Sequence, residues 1–250
     1  MNNIIQGLWI GSELSVMEQL SVASFLRNGH TYHLYVFEDV KNIPAGTIVK
    51  DANQILPSKN IFQYTGSRSY AGFANFFRYK LLLERGGWWS DTDVVCLKPF
   101  DFSEEYVFAS EKFKNKVLLT CGVLKAPAGS DVMAFAWGAC QTKDPGDLVW
   151  GETGSRLLTE AVKKFSLGQY QKSHLVFCPL DYLEWNRVLE PTAEITFDET
   201  TCAIHLWNEM WRSAGQDKNA SYLHQCLYEQ LKRKYLSVIV QRHRATCPTL

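Results

Sequence analysis

The stretch IIQGLWIGSELSVMEQLSVASFLRNGHTYHLYVF, residues 4–37, decides the fold class. It opens with an apolar run that is typical of a buried strand. Ser15 and Glu18 have the spacing of a capping box, which predicts a helix that begins there and stops at Gly29. The run 32–37 is rich in residues that favour strands. Because strand, helix and strand follow one another, the sequence predicts a βαβ unit with two parallel strands.

The same alternation continues along the chain. Residues 69–85 carry apolar side chains at helical spacing, and the glycine pair that follows ends this helix. Further strands are predicted at residues 94–97, 106–110, 117–120, 122–125, 175–178 and 202–206, and further helices at 130–142, 156–165 and 222–235. Residues 40–67 carry prolines and glycines, which indicate irregular connections. We therefore expect one α/β domain over residues 1–236 with helical additions, followed by a loosely held C-terminal tail at 237–250.

Composition limits the classes of function. The chain has 250 residues, and its 26 basic and 26 acidic side chains leave a net charge of zero. Without a positive field, nucleic acid is not an expected partner. No apolar stretch is long enough to span a bilayer, and residues 1–6 lack the basic start and apolar core of a signal peptide. We expect a cytoplasmic protein, for which peripheral contact with a membrane stays open.

The chemistry is predicted from an acidic pair, Asp91 and Asp93, which follows two tryptophans and precedes the apolar run 94–97. Two carboxylates within one short turn suit a hard divalent cation such as Mn²⁺ or Mg²⁺, which also takes oxygen ligands from phosphates. A nucleotide sugar supplies such phosphates. The spacing alone is a weak signal, and a solvated turn is the other interpretation of the pair.

Three segments together resemble a known family. The block FANFFRYKLLLERGGWWSDTDV, residues 73–94, is similar to the helix, glycine-pair and D-x-D block of DXD-containing glycosyltransferases. Residues 4–11 and 203–208 are similar to two further motifs of that family, which includes capsular polysaccharide sugar transferases, initiating mannosyltransferases, α-1,4-galactosyltransferases and glucosylating toxins. The resemblance implies a GT-A fold, which is a Rossmann-like α/β architecture that binds a nucleotide sugar, and transfer with retention of the anomeric configuration.

The resemblance also implies a metal site. Asp93 would coordinate the cation, and Asp91 would either coordinate it or bind the ribose hydroxyls. His205 is the candidate third ligand, since a neutral imidazole nitrogen completes such a site. A buried core histidine remains the other interpretation of His205.

Further residues are assigned to the donor by the same resemblance. Arg78 would reach a donor hydroxyl or phosphate, unless it forms an ion pair with a neighbouring acid. Trp9 would stack on the nucleotide base or else pack in the core. Trp207 and Trp211 would close over the donor, with Asn208 hydrogen-bonding beside them.

The chain departs from the family pattern at several positions. Asn75 stands where an aspartate usually contacts the donor sugar, Trp89 replaces a tyrosine, and the loop 153–155 reads TGS where TGP is usual. Glu152 is the loop carboxylate that we nominate as nucleophile or acceptor base, with a solvated loop acid as the alternative. We favour attack from the face of the leaving group, with a diphosphate oxygen taking the acceptor proton.

These features predict a metal-dependent retaining glycosyltransferase. It would move a hexose from a nucleoside-diphosphate sugar, UDP before GDP, to a glycan such as a growing polysaccharide, a lipid-linked glycan or a protein. One alternative is a non-catalytic sugar or nucleotide-sugar binding protein on a degenerate transferase fold, which the 8 Trp, 11 Tyr and 14 Phe would also suit. The other is a phosphotransferase of the haloacid dehalogenase type, whose D-x-D motif lies close to the N-terminus.

Overall fold

The fold is described by a computed structural model over residues 4–192 and 194–237. Its strands are β1 (Ile4–Leu8), β2 (Thr31–Val36), β3 (Ile48–Asp51), β4 (Gly87–Ser90), β5 (Val94–Cys96), β6 (Val107–Phe113), β7 (Lys116–Ala126) and β8 (Ala203–His205). Its α-helices are α1 (Val16–Arg27), α2 (Ala71–Arg85), α3 (Asp131–Gln141), α4 (Leu157–Lys164), α5 (His174–Phe177), α6 (Asn208–Ser213) and α7 (Leu227–Leu236). Among these described residues, no helix is both long enough and apolar enough to cross a membrane.

The predicted βαβ unit is confirmed. Ser15 caps α1, and the Glu18 carboxylate accepts a hydrogen bond of 2.9 Å from the Ser15 amide, which completes the capping box. β1 and β2 pair in parallel over their whole length. The local signals in this stretch all agree with the final topology, which is why its elements could be predicted from the sequence.

A six-stranded sheet in the order β3-β2-β1-β4-β7-β6 forms the centre of the molecule. The four strands from β3 to β4 are parallel, whereas β7 runs antiparallel to both β4 and β6. A second, two-stranded sheet pairs β5 with β8 and sets Val94 opposite His205. The predicted α/β class is therefore confirmed.

The strand order creates a crevice at the carboxyl ends of β1 and β4. β1 has β2 on one side and β4 on the other, so the chain crosses over between them. In open α/β sheets, ligands bind outside the carboxyl ends of strands where the strand order reverses in this way. Trp9 directly follows β1 and Asp91 directly follows β4. Folding thus brings the two distant candidates to one edge of the sheet.

Helix α2 packs an aromatic face onto the sheet. Phe73, Phe77 and Leu81 are almost completely buried, and burial of each such side chain stabilises the fold by roughly 1.5–3 kcal/mol. The ring of Phe77 contacts Tyr35 of β2 and Trp89 of β4, with ring centroids 5.6 and 6.2 Å apart. α2 is thereby held across the strand that carries the acidic pair.

A glycine makes the turn from α2 into β4. Gly86 has a φ of +62°, and a Cβ atom at this position would lie 2.4 Å from the backbone nitrogen of Ala128. No other residue fits there without a shift of the backbone. The turn fixes where β4 begins and therefore where Asp91 lies.

Several elements differ from the sequence predictions. The connection 40–67 contains β3, an exposed edge strand with too little apolar alternation to be recognised. The predicted strands 117–120 and 122–125 are one strand, β7, whose pairing with β6 shifts register between Phe108 and Ser110. The predicted strand 175–178 is wrong. This segment is the short helix α5, which Ser173 caps, and short apolar runs do not distinguish strand from helix.

The C-terminal part was predicted with less accuracy. Helix α7 begins five residues later than the predicted helix 222–235, and α6 was not predicted at all. The predicted tail falls on residues 237–250, of which all but Ser237 lie outside the described residues. The proposed boundary at residue 236 stays a prediction.

Candidate active site

A cleft of about 1300 Å³ opens at the carboxyl ends of β1 and β4. We refer to this cavity as the cleft. Of the residues predicted for the site, those that line it are Trp9, Arg78, Asp91, Asp93, His205, Trp207 and Asn208. Residues from four separate parts of the sequence therefore converge on one cavity, which is the usual setting of a ligand site.

The Asp91 carboxylate is held in place by two hydrogen-bond donors. Its Oδ1 atom accepts hydrogen bonds of 2.9 Å from the Arg78 guanidinium and 2.8 Å from the Trp89 indole nitrogen. Arg78 is itself buried, donates to the backbone carbonyl of Cys121, and lies over the Trp89 ring at 4.9 Å. The Asp91 amide donates to the Gly122 carbonyl at 2.8 Å. With Oδ1 and the amide occupied, the Oδ2 atom of Asp91 is left for a ligand.

Asp93 is held by β8 and by the start of α6. Its Oδ1 atom lies 3.2 Å from Nε2 of His205, and its Oδ2 atom accepts a 2.8 Å hydrogen bond from the Asn208 amide. Trp207 adopts a left-handed conformation with a φ of +59°, which turns the chain so that the Asn208 amide points at Asp93. A non-glycine residue in this conformation is uncommon, and such strain often occurs at functional sites.

Asp91, Asp93 and His205 form a compact group, which we call the acidic cluster. Each offers one ligand atom, and these atoms all lie within 4.8 Å of one another. Two carboxylates and one imidazole suit Mn²⁺, and the imidazole nitrogen suits Mg²⁺ less well because Mg²⁺ prefers oxygen ligands. The donor set therefore fits the divalent cation that the sequence predicts.

The charges of the acidic cluster are coupled. Burial raises the pKa of Asp91, although Arg78 opposes this rise. Burial would also raise the pKa of Asp93, but the neighbouring His205 outweighs it and lowers that pKa. For His205, burial would lower the pKa, and the Asp93 carboxylate reverses this and raises it well above 6.5. His205 must lose its Nε2 proton before that nitrogen can become a ligand.

Gly122 leaves the space that His205 occupies. A Cβ atom on Gly122 would lie 3.1 Å from Cε1 and 3.3 Å from Nδ1 of His205, and 3.7 Å from Oδ2 of Asp91. These distances are shorter than or close to van der Waals contact. A glycine in the middle of β7 is costly for a strand, so its presence here reflects the close approach of the imidazole.

Trp207 covers one side of the acidic cluster. Its ring stacks on the His205 imidazole with centroids 3.9 Å apart, and its indole nitrogen donates to the Leu180 carbonyl at 3.0 Å. The stacked ring fixes the orientation of the imidazole. It also restricts the access of water to that side of the cluster.

Trp9 lines the cleft beside a lysine that the sequence analysis missed. Lys218 lies over the Trp9 ring at 5.5 Å, and its ammonium group donates to Glu18 at 2.5 Å and to the Asn208 side chain at 2.9 Å. Glu18 thus serves both the cap of α1 and this cationic residue. The Trp9 indole nitrogen is buried and has no hydrogen-bond partner among the described residues.

Three predicted site residues lie off the cleft. Asn75 is buried, and its amide contacts the Thr153 hydroxyl at 3.4 Å, so it faces the loop 153–155. Glu152 points outward and pairs with Lys143 at 2.6 Å. Trp211 is fully buried in the core.

For Glu152 and Trp211 the sequence interpretation needs correction. Glu152 is the first residue of a π-helical turn, and its side chain faces the surface. The alternative interpretation, a solvated loop acid, therefore describes Glu152. Trp211 lies on the inner face of α6, donates from its indole nitrogen to Leu206 and packs against Trp185 and Tyr228. It therefore supports α6 from below and does not close over the cleft.

The wall opposite Trp9 was not predicted from the sequence. Glu111 and Phe113 of β6 line the cleft there together with Tyr182. The predicted strand stopped at Ser110. Extending it by three residues would have placed Glu111 and Phe113 on one face, since alternate residues of a strand share a face.

The α/β sheet, with a D-x-D pair beside a histidine at the end of its switch-point strand, agrees with the GT-A fold that the sequence resemblance implies. Residues 15–114 match the family described as "Glycosyltransferase sugar-binding region containing DXD motif". The prediction of a DXD-containing glycosyltransferase region is thereby confirmed for these residues, and the match does not distinguish between the branches of the family.

Two solved structures of transferases are among those similar to this chain. "PaToxG Glycosyltransferase" is 15% identical with a TM-score of 0.49, and the similarity covers 94% of this chain and 84% of that one. A transferase with two cysteine-to-serine substitutions is 11% identical with a TM-score of 0.44, over 66% of this chain and 85% of that one. No curated protein matches the sequence.

Proposed function

We propose that the protein transfers a hexose from a nucleoside-diphosphate sugar to a hydroxyl group, with retention of the anomeric configuration. The observation that carries the proposal is the acidic cluster at the floor of a cleft that is large enough for a nucleotide sugar. UDP-sugars are the expected donors before GDP-sugars. A glycan, a lipid-linked glycan or a protein is the expected acceptor.

Asp91, Asp93 and His205 would hold the cation, with Mn²⁺ preferred over Mg²⁺ because of the imidazole. When bound, this cation supplies electrostatic stabilisation of the negative charge that develops on the diphosphate as the bond to the sugar breaks. Arg78 and the Asn208 amide keep the two carboxylates in position before any ligand arrives. Such preorganisation means that little reorganisation is needed during the reaction.

The remaining cleft residues bind and shield the donor. Trp9 stacks on the nucleotide base, a contact that is typically worth about 1–3 kcal/mol for an aromatic side chain. Lys218 lies close enough to Trp9 and Asn208 to add a positive charge beside the diphosphate. Trp207 limits the entry of water, which matters because water would compete with the acceptor.

The position of Glu152 bears on which of the two routes to retention is proposed. Glu152, which the sequence nominated as a nucleophile, lies off the cleft and is paired with Lys143. The covalent route through Glu152 is therefore dropped. The acceptor attacks from the side on which the diphosphate leaves, and the same side carries the acidic cluster.

A hydrolysis screen tests the proposal. The protein is incubated with Mn²⁺ and a panel of UDP-sugars and GDP-sugars, and released nucleotide is measured. We expect one donor to be cleaved well above the others, and Asp93→Ala to abolish the cleavage while circular dichroism shows a folded protein. Equal rates in the wild type and in Asp93→Ala would contradict the proposal.

Two other outcomes would assign other functions. Mn²⁺-dependent binding of UDP or GDP without cleavage of any donor would identify a non-catalytic binding protein. Release of phosphate from a phosphomonoester, lost in Asp91→Ala, would identify a phosphotransferase. The location in the cytoplasm stays a prediction, which fractionation of cells that express the protein would test.

A further inference from the structure

The wall of the cleft that faces Trp9 is formed by the end of β6 and the start of the 3₁₀ helix Tyr182–Leu189. β6 lies three strands from β1 in the central sheet. At about 4.8 Å per strand, this places the two walls roughly 14 Å apart, with the end of β4 between them. The acidic cluster therefore lies between Trp9 on one wall and Glu111 on the other.

Glu111 is a carboxylate without a fixed partner. It is half-buried, and its side chain makes no hydrogen bond or ion pair with the residues that the structure describes, in contrast to Asp91 and Asp93. It also stands outside the acidic cluster. A half-buried carboxylate that lines a cavity and lacks a partner is free to accept a hydrogen bond from a ligand.

The surroundings of Glu111 favour its protonated form. Burial raises the pKa of Glu111, with Asp181 adding to the rise and His205 opposing it. A carboxylate with a raised pKa is a stronger base than an ordinary surface glutamate.

Beside Glu111 lies a run of aromatic side chains. The rings of Phe113 and Tyr182 stack with centroids 5.7 Å apart and an angle of 18° between their planes. Tyr182 in turn meets Trp207 edge to face, with centroids 6.2 Å apart and an angle of 68° between the ring planes, and Trp207 stacks on His205. Aromatic contacts therefore connect β6 with the acidic cluster, and Phe113 and Tyr182 form the part beside Glu111.

An aromatic surface next to a carboxylate matches the chemistry of a sugar ring. The carbon-bound hydrogens of a sugar present an apolar face that packs on aromatic rings, and its hydroxyl groups donate hydrogen bonds to a carboxylate. A lipid tail would need an apolar wall without the carboxylate. A peptide would need backbone partners, and the residues that form this surface offer side chains instead.

We propose that Glu111, Phe113 and Tyr182 form the acceptor subsite of the cleft, and that this subsite binds a saccharide. This inference rests on the function proposed above. The acceptor ring packs on Phe113 and Tyr182, and one of its hydroxyl groups donates to the Glu111 carboxylate.

Glu111 replaces the diphosphate oxygen as the group that receives the acceptor proton. The bond between the anomeric carbon of the donor and the diphosphate oxygen breaks, and its electron pair leaves with the diphosphate. The acceptor oxygen forms the new bond to that carbon while its proton passes to Glu111. The products are the glycoside, the nucleoside diphosphate and a protonated Glu111, which later loses its proton to water.

The test of Glu111 uses hydrolysis of the best donor from the UDP-sugar and GDP-sugar panel with Mn²⁺, because water then takes the place of the acceptor. Glu111→Gln keeps the shape of the side chain and is expected to lower the hydrolysis rate by about a hundredfold or more. Glu152→Gln is the matched control, since Glu152 lies off the cleft, and it should match the wild type. Binding of UDP with Mn²⁺, measured by calorimetry, should stay within about threefold in Glu111→Gln, and Glu111→Asp should recover part of the rate.

Each result decides between the two proposals. A hydrolysis rate in Glu111→Gln within about threefold of the wild type would overturn the role of Glu111 and leave the proposed function standing. If Glu111→Gln lost UDP binding and hydrolysis rate by the same factor, the role of Glu111 would also be overturned, because Glu111 would then bind the donor or the metal. If the wild type cleaves no donor, the proposed function fails and the acceptor subsite fails with it.

The saccharide class is tested with a panel of p-nitrophenyl monosaccharides as acceptors. We expect at least one to accept the sugar, and Tyr182→Ala to raise its KM by about tenfold. Tyr170→Ala, a half-buried tyrosine that does not line the cleft, is the matched control. Transfer to none of the saccharides by an enzyme that hydrolyses the donor, or an unchanged KM in Tyr182→Ala, would overturn the saccharide assignment.

Discussion

The floor of the cleft and its β6 wall are built in different ways. At the floor, both carboxylates of the acidic cluster have fixed partners: Asp91 is held by Arg78 and Trp89, and Asp93 by His205 and the Asn208 amide. On the β6 wall, Glu111 has none among the described residues, and the rings beside it are half-buried. The floor is complete before a ligand binds, whereas the β6 wall has groups that a ligand would complete.

This difference matches the two substrates that a transferase must bind. The leaving diphosphate requires the same charges in the same places in every turnover, which favours preorganised donors and ligands. An acceptor is recognised by its own hydroxyl groups, which need unpaired partners in the protein. The predictions below test this contrast, in order of decreasing effect.

The largest effect is expected from the charge of Asp91. Asp91→Asn keeps the shape of the side chain but leaves Arg78 buried beside a neutral amide, and it removes a charge from the acidic cluster. We expect Mn²⁺-dependent donor hydrolysis to fall by about a thousandfold, as for the loss of a main electrostatic group in an active site. Glu184→Gln changes a carboxylate in an exposed pair with Arg187 and should leave the rate unchanged. A rate for Asp91→Asn near that of the control would mean that the acidic cluster at the floor of the cleft does not carry the chemistry.

The second prediction concerns Trp211, the buried side chain that supports α6. Trp211→Ala opens a cavity in the core, and we expect the free energy of unfolding in urea to fall by about 3–5 kcal/mol. Leu183→Ala, at a side chain that is 56% exposed, should change it by less than about 0.5 kcal/mol. A small effect of Trp211→Ala would show that this ring is not the support of α6.

The third prediction concerns the guanidinium that holds Asp91. Arg78→Lys keeps the charge but loses the planar group that serves both Asp91 and the Cys121 carbonyl. We expect the free energy of unfolding to fall by about 1–3 kcal/mol, from the unpaired buried acceptor. Arg212→Lys, in a more exposed pair with Glu209, should cost less than about 0.5 kcal/mol. Equal losses in the two variants would show that burial adds nothing to the Arg78 contact.

The smallest effect is expected at Gly122. Gly122→Ala would press a methyl group against His205, and overpacking of about 1 kcal/mol would weaken Mn²⁺ binding by about fivefold. Gly138 lies in α3, where a Cβ atom meets nothing within 4 Å. Gly138→Ala should leave Mn²⁺ binding unchanged and raise the melting temperature slightly. Unchanged Mn²⁺ affinity in Gly122→Ala would mean that the position of His205 does not limit the site.

The sequence was a good guide where local signals and tertiary structure agree. The capping box at Ser15, the glycine turn at Gly86 and the D-x-D pair all lie within short stretches, and each was located correctly. The resemblance to the transferase family identified His205, which the structure places beside Asp93. These features are set by a few neighbouring residues.

The sequence failed where long-range packing decides. Nothing near Trp211 indicates that α6 turns this ring into the core, while Trp207, four residues earlier, faces the cleft. The pairing of Glu152 with Lys143 depends on how the π-helical turn lies on the surface. Glu111 reaches the cleft because β6 forms the edge of the sheet, and the order of the strands could not be read from the chain.

The most direct test of the central claim is a titration of Mn²⁺ followed by electron paramagnetic resonance, with and without UDP. The wild type should bind one Mn²⁺ ion more tightly when UDP is present, because the diphosphate would share the ion with the acidic cluster. His205→Ala should weaken this binding, and Asp93→Ala should abolish it while remaining folded. Equal binding of Mn²⁺ by the wild type and by Asp93→Ala, unaffected by UDP, would contradict the account.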